Sequence, residues 1–322
     1  MKDKDFKLDG PTIKRILMNN SIFVVLAILI AGFAITQPLF LSSANITNFS
    51  SQISSVGIIT IAITMILITG LVDLSIASVA AFAGTLAVVL AAGGAPPIVV
   101  IPVALLSGAF WGVVNGFLIT RFKLQPFILT LGTNYVIRGL LLFATNGIFV
   151  SGMPDWFHSI SNTRLPGGLI STNALVFIIL IIIFAYVMKN TRFGRYCYAV
   201  GANTEAARLS GINTDLHIIK VYALEGVVAS IAGILLMSNL NVGAPSEGMG
   251  LDLFALAGAI MGGTRFGGGV GTIGGAIAGI FTIQVFQNGL SLMGVNSFMQ
   301  DVVTGIIIVL AIVIDFIRTK SK

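Results

Sequence analysis

Sulfur, histidine and charge are all scarce in this chain, and each scarcity closes off a class of function. Cys197 is the one cysteine in 322 residues, so no internal disulfide can form and packing alone must hold the fold. Its plain reading is a small residue in a loop. The two histidines, His158 and His217, stand far apart and leave no spacing suited to a metal. No Gly-x-x-x-x-Gly-Lys-Ser/Thr run occurs, and the glycine cluster 262–275 has no lysine to hold a phosphate. No Ser/His/Asp arrangement stands out. These absences argue against an intrinsic enzyme, a cofactor, a metal and a nucleotide site. Charged residues make up only 9%, against about 25% in a typical soluble domain. A soluble globule is excluded.

What is abundant is apolar length. Hydrophobic residues make up 56% of the chain, and they gather in runs of about 20, enough to cross a bilayer as helices. The runs fall near 22–41, 53–69, 76–92, 98–119 and 127–144. After a polar stretch they continue near 174–188, 218–240, 253–263, 273–292 and 302–317. They are continuous rather than alternating, which argues against a β-barrel. The expectation is all-α: a polytopic helical membrane protein of about ten spans, forming one transmembrane domain over 1–322. The run at 253–263 is too short to cross comfortably and leads into glycines, so it reads as a short or broken helix. The 37 glycines suit close helix contacts. No internal repeat stands out, and 1–20 is mixed in charge, unlike a cleavable signal.

The net charge of +6 could suggest a nucleic acid or another polyanion, but its distribution argues for a membrane. Starting inside and alternating sides puts 16 of the 18 basic residues in cytoplasmic segments. Arg164 falls outside, and Arg138 falls within the fifth run. Both termini are therefore expected inside, with 1–20 as a cytoplasmic segment. The largest outer loop, 145–172, is either a docking surface for an external partner or a solvated connector with an interfacial tryptophan, Trp156.

One polar island breaks the oily pattern, TRFGRYCYAVGANTEAARLSGI at 191–212, with Arg192, Arg195 and Arg208. Residues 205–211 read as a short helix capped by Asn203 or Thr204 and ended by Gly211. Glu205 sits in the first turn, where the helix dipole favours it. Composition alone leaves two readings level: a docking helix on the inner face, or a loop whose arginines obey the positive-inside rule.

This island resembles the signature loop of the ribose-type sugar permeases of bacterial ABC importers, within the wider branched-chain amino acid and monosaccharide permease superfamily. The resemblance continues in GLVDLSIAS (70–78), LGTNYVIRGL (131–140), AGAIMGGTRFGGGVGTIGGAIAG (257–279) and QNGLSLMGVNSFMQ (287–300), in the family's order and over nearly the whole chain. Glu225 and Asp301 depart from the pattern and bear on the exact substrate. The resemblance implies a permease in the bacterial cytoplasmic (inner) membrane that imports a monosaccharide by alternating access. It implies three partners: a cytoplasmic ABC ATPase, an external or periplasmic sugar-binding protein, and a second permease copy or close paralogue. It makes 189–217 the coupling loop and carries ATPase contact to Arg195, Glu205, Ala206, Ala207 and Gly211.

Within the membrane several side chains invite a role. Asp73 joins the second and third runs and reads either as a helix cap together with Ser75 or as a group on the path. Arg138 could pair with Glu225 or snorkel outward. A sugar path should carry amides rather than fixed charge, which nominates Asn115, Asn134, Gln284, Gln287 and Asn288. The last three share one helical face, and interhelical hydrogen bonding explains all five equally well. Gly271, Gly275 and Gly279 form a four-residue-spaced stripe for close helix packing, within the subunit or at a dimer seam. Two rivals remain: an ion-coupled secondary transporter built on Asp73, Glu225 and Arg138, and an ABC permease for branched-chain amino acids.

Overall fold

In the computed structural model, residues 21–164 and 171–320 are described, and they form 13 α-helices and no strand. In chain order these are α1 (Ser21–Thr36), α2 (Ser43–Ile68), α3 (Ile76–Ala92), α4 (Pro97–Phe122), α5 (Pro126–Thr145), α6 (Asp155–Asn162) and α7 (Thr172–Asn190). They continue with α8 (Arg192–Ala202), α9 (Thr204–Leu209), α10 (Thr214–Leu240), α11 (Leu251–Met261), α12 (Ile273–Leu292) and α13 (Ser297–Lys320). Six of them, α2, α4, α5, α7, α10 and α12, are long and apolar enough to cross a membrane. The other four expected spans fall on the shorter apolar stretches Ile22–Thr36, Ile76–Ala92, Leu251–Met261 and Ser297–Ile307. The expected cytoplasmic segment 1–20 lies outside the described residues, as does Pro166 of the outer loop.

Helices α2 and α10 form the centre. Of the apolar window of α2, 89% is buried, against 22% for α4. Burial in lipid is decided by which side chains let neighbours approach. Helix α10 crosses α4 where Gly108 and Gly112 meet Gly226 and the Tyr222 backbone, and it crosses α3 where Gly84 meets Gly233. A Cβ on any of these glycines would overlap a backbone carbonyl of the facing helix. Without a hydrophobic force between helices in lipid, such close backbone contact is what binds them.

Buried hydroxyls are satisfied locally. Thr60, Thr64 and Thr69 each donate to the carbonyl four residues back, at 2.6–2.9 Å, so α2 carries threonines through the core without an unpaired donor. On the expected outer side, α6 is fastened to α10 rather than left as a solvated connector. Phe157 is fully buried, and Ser238 Oγ donates to the Phe157 carbonyl at 2.6 Å while accepting from the Ser161 N–H at 3.0 Å.

Replacing Gly226 with leucine should prevent the α4–α10 crossing, since overfilling a tight contact costs about 1–3 kcal/mol or more. Thermal melting of the detergent-solubilised protein should show a clear drop in midpoint for Gly226→Leu. Gly132→Leu, on an open face of α5, should melt like the parent; equal melting of both variants would contradict this packing account.

Candidate functional site

The polar island folds into two short helices joined at one residue. Asn203 ends α8, and its side chain accepts the Ala206 N–H at 2.9 Å to start α9. The α9 end is a Schellman-type turn: the Gly211 N–H donates to the Arg208 carbonyl at 3.0 Å and the Ile212 N–H to the Ala207 carbonyl at 3.1 Å. Gly211 sits at φ +86°, where a side chain would be strained. Glu205 and Arg208 pair at 3.5 Å, and Arg208 and Lys123 both reach Asp215, at 3.7 and 3.1 Å. These exposed pairs are each worth under about 1 kcal/mol, so the caps and packing define the helix.

Of the expected contact residues, Arg195, Glu205, Ala206 and Gly211 are exposed. Ala207 is corrected: at 4% exposure it packs α9 onto the permease and presents nothing to a partner. Leu209, which sequence reasoning passed over, is 89% exposed at the tip of α9. A bare leucine between Arg208 and Ser210 was the available signal. Arg195 also borders a groove of about 710 Å³ with Lys189, Tyr198 and Thr272.

The island is bolted to the membrane helices behind it. Tyr198 donates from its hydroxyl to the Gly271 carbonyl at 2.8 Å, and the Gly269 N–H donates to the Ile68 carbonyl at 2.9 Å. Gly201 lies directly on that Ile68 carbonyl, and Gly268 on Gly70. A rigid contact thus runs from α8 through the glycine loop to the end of α2. Gly271 lies in this loop, outside α12; only Gly275 and Gly279 belong to the helix, where they meet Gly262 and Gly258 of the same subunit.

Two residues beyond Leu71 the chain reaches the buried polar cluster. Asp73 accepts from the Ser75 N–H at 2.5 Å and the Ser75 hydroxyl at 2.6 Å, a tight turn ahead of α3. Ser75 is the N-cap residue of α3 but makes no side-chain cap bond, and Asp73 closes the turn before it. Asn115 of α4 donates to Ser75 Oγ at 2.9 Å and to Asp73 at 3.4 Å. Tyr222 and Glu225, roughly two and three turns into α10, complete the cluster, and Tyr222 donates to the Val72 carbonyl at 3.0 Å. The Asp73 and Glu225 side chains line the same small space. Neither forms an ion pair with a described residue.

The expected Arg138–Glu225 pair does not form. Arg138 donates instead to Ser78 Oγ at 3.2 Å and to the Pro245 and Glu247 carbonyls at 2.6 and 3.0 Å. Nor do the six expected path residues share one cavity. Asp73 and Asn115 do. Asn134 accepts from Ser78, tying α5 to α3. Gln287 donates to Thr304 at 3.2 Å, and Asn288 exchanges amide bonds with Asn45 at 3.0 Å. Gln284 sits half-buried on the same helix. Interhelical bonding accounts for most of this set, because a buried amide finds the nearest helix.

A helical membrane protein with a capped polar helix on one face and a polar cluster deep in its core has the parts of a transport subunit. The chain belongs to the family described as branched-chain amino acid transport system / permease component, which matches residues 45–312. It is 36% identical to the ribose import permease protein of Bacillus subtilis over 93% of this chain and 92% of that one. It is also 33% identical to the L-arabinose ABC transporter permease protein of Azospirillum brasilense, covering 95% of this chain and 90% of that one. The galactose/methyl galactoside import permease protein of Escherichia coli is 32% identical, with 95% and 96% covered. No solved structure matches the chain.

Asp73→Ala should lower apparent stability by about 1–3 kcal/mol, because it strands the buried Ser75 and Asn115 donors. Glu225→Gln keeps the side chain's volume and polar end in the space it lines with Asp73 and should melt within about 1.5 kcal/mol of the parent. Cys197, fully buried in α8, has its thiol pushed up to about 11 by burial. The reactive thiolate is then on the order of one part in a thousand at pH 8. A maleimide should therefore label the folded protein at a small fraction of its rate in denaturant; equal rates would contradict the placement of α8.

Proposed function

We propose that this chain is the membrane-spanning permease subunit of an ATP-driven importer for a monosaccharide, acting in a bacterial cytoplasmic membrane with about ten spans and both termini inside. The observation that carries this reading is end-to-end similarity to permeases named for ribose, arabinose and galactose. A cytoplasmic ATPase would supply the energy, an external binding protein the cargo, and a second permease copy the other half of the path.

The geometry supports a route for coupling. A docked ATPase would cover Leu209, Glu205, Ala206 and the Gly211 turn, all of which face outward. Its motion would pass through α8, whose Gly201 and Tyr198 rest on the glycine loop and on α2. From there it reaches the break between α2 and α3, next to Asp73. Backbone-to-backbone contact transmits displacement because close-packed interiors compress little.

The rivals fare less well. An ion-coupled site using Asp73, Glu225 and Arg138 loses its cation, since Arg138 is engaged elsewhere. A branched-chain amino acid calls for paired charges around a zwitterion, and neither carboxyl of the cluster has a basic neighbour paired with it.

The test is copurification. The tagged chain, extracted from its native membrane in mild detergent, should bring a stoichiometric ATPase subunit. The double change Glu205→Lys with Gly211→Pro should release that subunit and abolish uptake while the permease stays inserted. Leu209→Asp should weaken the association about tenfold, as loss of a buried apolar anchor does. An ATPase retained by the double variant would overturn the docking assignment.

A further inference from the structure

On the face opposite α9, the first turns of α2, the end of α6 and the end of α10 enclose a vestibule of about 280 Å³. Among the described residues, the nine that line it are all polar: amides, hydroxyls and the guanidinium of Arg164. A typical small-molecule pocket has the reverse balance, apolar walls with a few polar groups. Asn48 and Gln52 stand one turn apart on α2, and Asn239 faces them from α10. None of these three amides is hydrogen-bonded to another described side chain. The wall behind them is already satisfied: Ser51 donates to Ser171 at 3.2 Å, and Asn162 donates to the Ser238 carbonyl at 3.1 Å. Free amides therefore project from a braced wall.

We infer that this vestibule is a low-affinity binding station for a neutral polyhydroxylated molecule, a monosaccharide, on its way from the binding protein into the membrane. The inference rests on the import reading. The chemistry selects against the other cargo classes. A cation would find no carboxylate among the nine described lining residues. A branched-chain amino acid could give its carboxylate to Arg164, but among the described lining residues its ammonium would find no counter-charge and its side chain no apolar wall. A sugar offers donors and acceptors around its whole rim, which is what amides and hydroxyls can pair with. Hydration keeps the station weak, because each bond formed replaces one to water. A transport intermediate has to release its cargo, and weak binding allows that.

The station can be read without transport. Gln52→Cys, in the assembled complex in proteoliposomes, places a reactive thiol in the vestibule, while the buried Cys197 contributes little background. Labelling by an impermeant maleimide should slow severalfold in high D-ribose and remain unchanged in L-leucine. The triple change Asn48→Ala, Gln52→Ala and Asn239→Ala should cut uptake about tenfold at saturating loaded binding protein, as loss of several modest hydrogen bonds implies. Retention of the binding protein on the permease should not change. Three results overturn the inference: labelling indifferent to sugar, protection by leucine as strong as by ribose, or a triple variant that loses the binding protein. A parent complex that imports no monosaccharide would instead sink the import reading, and sugar-protected labelling in that same complex would still support the station.

Discussion

Helix α10 can occupy the middle of this protein only because glycine stands where it crosses α3 and α4. Gly226 against Gly108, and Gly233 against Gly84, bring backbones so close that no side chain fits between them. Everything with a candidate role is hung on that rod. Its inner end anchors Asp215, which gathers Lys123 and Arg208 beside α9. Its inner half carries Tyr222 and Glu225 to Asp73. Its outer end carries Ser238, which fastens α6, and Asn239, which faces the vestibule. A movement of α10 relative to α2 would be felt at all three levels at once.

The second constraint is that lipid offers no hydrogen bonds, so every buried polar group must find a partner inside the protein. That explains why several side chains first suspected of handling cargo turn out to join helices. Asn288 and Asn45 trade amide bonds, and Arg138 satisfies two loop carbonyls. The cluster around Asp73 differs, because neither of its carboxyls pairs with a cation among the described residues. Two acceptor atoms there, Asn115 Oδ1 and Glu225 Oε1, have no hydrogen-bond partner. Such groups are costly to bury, and they mark the place where the core is least settled.

Local signals in the sequence were legible and global ones were not. The α9 helix could be read residue by residue, since Asn203 and Gly211 act through bonds to neighbours a few positions away. The ten apolar runs likewise fall on helices, because hydropathy is a property of each run. Which runs are central could not be read: α2 and α4 are about equally oily, yet one is enclosed and the other faces outward. That difference depends on where glycines and threonines meet across helices, and no single run contains that information. The misassigned Arg138–Glu225 pair has the same origin. Opposite charges in two spans suggested contact, but the rotation of α5 sends Arg138 toward the 241–250 loop. The vestibule was not legible because Asn48, Ser51 and Gln52 lie between the apolar runs 22–41 and 53–69, and nothing in the sequence places Asn239 opposite them.

The central claim is that a partner's ATP hydrolysis, transmitted through α9, drives a monosaccharide inward through this subunit. Proteoliposomes holding the purified complex, with ATP enclosed and loaded binding protein outside, test it directly. Uptake of labelled monosaccharide should require the enclosed ATP and should persist when ionophores collapse every ion gradient. Uptake that continues without ATP and stops with the ionophores would contradict the account.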